Sequence, residues 1–145
     1  MTQTSNKPFH RIVVGLDGSE FSEATLKWAA AQAELTGSTL EVLTTWQSPI
    51  SYGWVMPIPE GFDPRAAAGE AIAGVLKVVH DLHPALVIHS HVVEGHPAPT
   101  LVEASGEADL LVVGGKGHGD FAGLLLGAVS DYCAHHAKCP IVIIH

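Results

Sequence analysis

The sequence predicts an α/β fold, a single domain built on a parallel sheet with helices on both faces. Two observations carry the prediction. Short apolar runs alternate with Ala-rich stretches of helical periodicity, and right-handed βαβ units of that kind build a parallel sheet covered on both sides. The first and fourth apolar runs both empty into Gly and polar residues, Gly15 to Ser19 and Gly114 to Gly119. That marks them as neighbours flanking the point where strand order reverses, which is where ligands of such sheets bind. At 145 residues the chain is the size of one domain and buries a core without staples.

The elements follow in order. Met1 to Phe9 reads as a flexible N-terminal segment, and the domain runs from His10 to His145. Ile12 to Leu16 is a short buried strand. Asp17-Gly18-Ser19 is a turn, and Ser19 or Ser22 is placed to cap a helix that carries Leu26, Trp28 and Ala29 and stops at Gly37. Thr39 to Trp46 is β-rich and forms the second strand. Residues Gln47 to Pro64 hold four prolines and two glycines. A connection that long either folds over the core or acts as a lid or contact surface.

Arg65 to Leu82 repeats apolar residues at helical spacing. Ala85 to Val93 is a third strand, Pro99 to Ser105 a short helix, and Asp109 to Val113 a fourth strand. Val129 to Ala137 is the last helix, and Ile141 to Ile144 the last strand.

Composition narrows the partners. The formal charge of −8, from 15 acidic and 7 basic residues, argues against nucleic acid, which needs clustered Lys and Arg. No apolar run approaches the roughly 20 residues that cross a bilayer. The polar first ten residues lack the apolar stretch of a signal peptide, so a cytoplasmic location and no membrane contact are expected. Cys133 and Cys139 are expected as free thiols. Ten histidines invite a metal reading through His89-His91 and His135-His136, but no Cys or Asp sits at zinc-finger spacing, so no metal is expected. Ser130, Asp131 and His135 lie close in sequence, yet helical spacing does not aim them as a nucleophile and base. No catalytic residue is assigned.

The chemistry-bearing segment is Gly114-Gly115-Lys116-Gly117-His118-Gly119. It follows an apolar strand and leads, past Gly127-Ala128-Val129-Ser130, into a helix. Glycines let backbone N–H groups approach an anion closely, and the helix start adds unpaired amides and the positive end of its dipole. Lys116 is followed by Gly117, so this is not a Walker A loop. The Gly-x-Gly-x-x-Ala string at Gly117, Gly119 and Ala122 lies too near the C-terminus to open a dinucleotide fold.

The spacing Gly114-x2-Gly117-x9-Gly127, with Val14-Gly15-Leu16-Asp17-Gly18-Ser19 and Gly95-His96-Pro97-Ala98, resembles the universal stress protein family over essentially the whole chain. The resemblance implies a single-domain five-stranded parallel sheet of order 3-2-1-4-5 (adenine-nucleotide alpha-hydrolase-like) and a homodimer paired through the last strand. It also implies ATP, with or without Mg²⁺, as ligand. Asp17 then lies at the adenosine end, and Gly15 and Thr45 near the base. Gly114 to Gly119 lie around ribose and phosphates, and Gly127, Ala128, Val129 and Ser130 form a second phosphate-holding turn.

Two departures bear on that site. ATP-binding members place Ser or Thr where this chain has Ala128, and losing a hydroxyl donor costs roughly 0.5–1.5 kcal/mol. Asp120 sets an acid in the loop, partly offset by Lys116, and Ser130 offers a replacement hydroxyl. The reading is an adenine-nucleotide-binding regulatory dimer with at most slow, incidental hydrolysis. The alternative is a dimeric interaction scaffold that binds no nucleotide.

Overall fold

A computed structural model of the chain describes residues 10–48, 60–115 and 127–145. Strands β1 (Arg11–Gly15), β2 (Thr39–Trp46), β3 (Ile88–Glu94), β4 (Leu110–Gly114) and β5 (Ile141–Ile144) alternate with helices α1 (Ser22–Thr36), α2 (Pro64–Leu82), α3 (Pro97–Ser105) and α4 (Ala128–His136). The sheet is parallel throughout, in the order β3-β2-β1-β4-β5. β1 and β4 are neighbours, with Val13 opposite Leu111. The sheet grows from this pair in both directions, so their carboxyl ends flank the reversal point.

Side chains alternate along each strand and feed two cores. On one face Ile12, Val14, Leu40 and Val42 pack with Leu26 of α1 and Ile72 and Val79 of α2. On the other, Val13, Leu43 and Leu111 pack with Leu101 of α3 and Cys133 of α4. Strands covered on both faces need apolar residues at successive positions, which is why Ile12-Val13-Val14 and Leu110 to Val113 are unbroken apolar runs. Asp109 stands just before β4. Its carboxylate accepts the amides of His10 (2.8 Å) and Arg11 (3.0 Å), pinning the start of β1 to its neighbour.

Several boundaries differ from the sequence reading. Neither Ser19 nor Ser22 caps α1. The N-cap is Phe21, whose side chain makes no cap bond, and the Asp17 carboxylate instead accepts the Ser19 amide (2.9 Å) and the Ser22 hydroxyl (3.4 Å). β3 starts at Ile88 rather than Ala85, because a turn closed by the Leu86 amide on the His83 carbonyl (3.1 Å) absorbs the intervening residues. α3 starts at Pro97 rather than Pro99. Proline suits the first helical position, where its missing N–H costs nothing, and the Thr100 amide already bonds the His96 carbonyl (3.2 Å). α2 begins at Pro64 behind Asp63, whose carboxylate accepts the Arg65 and Ala66 amides (3.0 and 3.3 Å). Cys133 and Cys139 are free thiols. Among the described residues no helix is long and apolar enough to cross a membrane.

Candidate functional site

The carboxyl ends of β1, β2 and β4 and the amino ends of α1, α3 and α4 surround a cleft of about 230 Å³. Its position follows from topology. α3 and α4 cover one face of the sheet and α1 the other, so the gap between β1 and β4 opens where three helices begin. Gly15 permits this closeness. A Cβ there would lie 2.7 Å from a Leu101 methyl, so a larger residue would have to displace the Leu101 side chain. Gly18 turns the chain into α1 with φ +76°, and a Cβ would meet Ala71 of α2 at 2.8 Å.

The structure brings Gly15, Asp17, Thr45 and Gly114 into one wall set with Gly127, Ala128, Val129 and Ser130. Lys116, Gly117, His118 and Gly119, with Asp120, lie outside the described residues, as do residues 49–59 of the long connection. Gly115 does not line the cleft. It ties the surrounding elements together instead: its N–H donates to the Ile144 carbonyl of β5 (2.7 Å), and its carbonyl accepts the Gly127 amide (2.6 Å).

Ser130 belongs to the same clasp. It is buried, and its hydroxyl donates to the carbonyls of Gly115 (3.2 Å) and Gly127 (3.1 Å). In this arrangement its proton serves the protein's own backbone rather than substituting for the hydroxyl missing at Ala128. Among the described residues nothing else caps the start of α4. Gly127 is an extended N-cap without a side-chain cap bond, and the Asp131 amide is the first to reach back, to the Gly127 carbonyl (2.9 Å). The amides of Ala128, Val129 and Ser130 therefore have no acceptor within the helix. That arrangement holds anions.

Sequence reasoning missed the apolar part of the cleft. Phe21 lines it from the start of α1, Leu43 from β2, Pro97 and Leu101 from α3, and Val113 from β4. The signal available was position alone for Phe21, Pro97 and Val113, which stand at a helix start or a strand end, whereas Leu43 and Leu101 lie inside β2 and α3.

The remaining polar groups have other duties. Glu41 is largely buried on β2. Its carboxylate lies 3.3 Å from the Arg11 guanidinium, 3.4 Å from the His89 ring and 3.0 Å from the His91 ring. His135 Nδ1 lies 2.8 Å from the Asp131 carbonyl. Ser130, Asp131 and His135 form no relay, since the hydroxyl and the ring are bonded to separate backbone carbonyls. Among the described residues no group of three His, Cys, Asp or Glu side chains is placed to hold a metal ion. Burial pushes the Cys133 thiol up to about 11, which keeps it protonated and unreactive at neutral pH.

Known proteins share this fold. A model of the Universal stress protein family matches residues 8–145. A universal stress protein of Mycobacterium tuberculosis is 34% identical over 141 residues, a match covering 94% of this chain and 48% of the relative. The chain thus spans about half the length of that relative. Among solved structures, a universal stress protein in complex with cAMP is 30% identical, with a TM-score of 0.63, covering 94% of this chain and 97% of that one. The universal stress protein UspA from Lactobacillus plantarum shares the fold at a TM-score of 0.74 and 18% identity, with coverage of 94% and 97%. On the family match over residues 8–145, the chain belongs to the universal stress protein family.

Proposed function

We propose that this protein binds an adenine nucleotide in the cleft between β1 and β4 and works as a ligand-linked regulatory dimer. One observation carries the reading: the uncapped first turn of α4 faces the same cleft as Asp17 and Thr45. Amide donors for phosphate and polar strand ends for a nucleoside thus share one cavity. The cAMP complex of the 30% identical relative supports an adenine ligand.

ATP, with or without Mg²⁺, is the ligand proposed, held at its phosphates by backbone amides. Pairing of two copies through β5 is proposed because, among the described strands, it pairs with β4 alone, and its apolar residues are half-buried in the single chain. An exposed edge of that kind favours cover. The proposed location is cytoplasmic, and the proposed role is binding, with hydrolysis slow and incidental. Ala128 favours the second reading, an interaction scaffold without nucleotide, because it offers the phosphates no hydroxyl.

The deciding experiment is mass spectrometry of nucleotide released on denaturing the freshly purified protein, followed by titration of the stripped protein. Near-stoichiometric adenine nucleotide is expected. Ligand at 100 times its Kd should stabilise the fold by about 2.7 kcal/mol. Neither release nor any thermal shift at millimolar ATP–Mg²⁺, AMP or cAMP would leave the scaffold reading standing.

A further inference from the structure

We propose that Phe21 is the aromatic wall against which the ligand's flat base lies, and so a specificity-determining residue of the cleft. The inference rests on the nucleotide reading above and names the residue that selects for a base.

Three observations converge on it. Phe21 lines the cleft. It belongs to neither core cluster. Its side chain remains 37% exposed, whereas the neighbouring apolar walls Leu43 and Leu101 are 8% and 4% exposed. The fold thus draws little packing from a large apolar ring held at the mouth of a cavity. Its place is fixed by the backbone: the Phe21 carbonyl accepts both the amide (3.2 Å) and the hydroxyl (2.9 Å) of Thr25, which seats the residue as the N-cap of α1. The turn before it is held by Asp17 on Ser19 and Ser22.

The cleft therefore combines two chemistries. Phe21, Leu43, Leu101 and Val113 are apolar, and the start of α4 adds a row of amides. A ligand that satisfies both carries a flat heteroaromatic ring and an anion. Phosphate gains nothing from a phenyl face, whereas a purine gains dispersion and quadrupole contact with it.

The test is calorimetric titration of nucleotide-stripped wild type, Phe21→Ala, Phe21→Leu and Phe21→Tyr with AMP and with ribose 5-phosphate. AMP binding should weaken roughly tenfold in the Ala and Leu variants and persist in Tyr, while ribose 5-phosphate binds all four alike. Recovery of AMP affinity by Leu would reduce Phe21 to generic apolar cover and overturn the proposal. An unchanged Kd in Ala, or equal weakening toward both ligands, overturns it as well. Wild type that takes up neither AMP, ATP nor cAMP sinks the nucleotide reading itself, and this inference with it. Because Phe21 lies outside both cores, the variants should keep the wild-type far-UV spectrum and Tm.

Discussion

The hydroxyl of Ser130 points into the protein, where the carbonyls of Gly115 and Gly127 share it. Removing it leaves two buried carbonyls with one donor fewer, a loss typically worth about 1–2 kcal/mol. Ser130→Ala should therefore lower stability by about that amount in denaturant titration, with an unchanged m-value. A variant as stable as wild type would show that the clasp is redundant. The orientation was not readable from the sequence. Glycine spacing places a turn and a helix start at Gly127 to Ser130, but the direction of a hydroxyl depends on the carbonyl of Gly115, twelve residues before Gly127 in the chain. Asp17 was legible as a turn residue for the opposite reason. Its carboxylate accepts from Ser19 and Ser22, and such local side-chain-to-backbone patterns are written in neighbouring residues.

Strands and helices were readable wherever burial is two-sided or periodic. β1 and β4 are apolar runs because both faces are covered. β3 lies at the sheet edge, and its exposed residues His89 and His91 gave a weaker signal, so its start was misplaced by three residues. α3 was read two residues short, since Pro99 was taken for its start when Pro97 holds that place. The contact between α3 and β1 is set by Gly15. A valine there would drive its Cβ to within 2.7 Å of Leu101, an overpacking that typically costs about 1–3 kcal/mol. Gly15→Val should lower the Tm and, by shifting α3, weaken cleft ligands. A wild-type Tm would mean that Leu101 yields without moving the helix.

The order β3-β2-β1-β4-β5 could not be read from periodicity, which gives elements but not their neighbours. The family resemblance supplied the full order, while the polar ends of β1 and β4 already placed those two strands side by side. The cleft was half legible for the same reason. Glycines between a strand and a helix start advertise phosphate chemistry, but Phe21, Leu43 and Leu101 look like any other apolar residue until the sheet brings them together.

The backbone of Gly115 touches two parts of the molecule at once. Its N–H bonds the end of β5 and its C=O bonds the start of α4. If a ligand fills the cavity and a second copy covers the outer strand, this one residue adjoins both, and thermodynamic reciprocity applies to the two events. If a second copy covers β5, any factor by which ligand tightens that association must equal the factor by which association tightens ligand. Measuring ligand affinity well below and well above the self-association constant, and the association constant with and without ligand, should return the same ratio, expected to be about 5-fold or more for a working coupling. A ratio of one in both directions would mean that the backbone of Gly115 transmits nothing between the cavity and the outer strand.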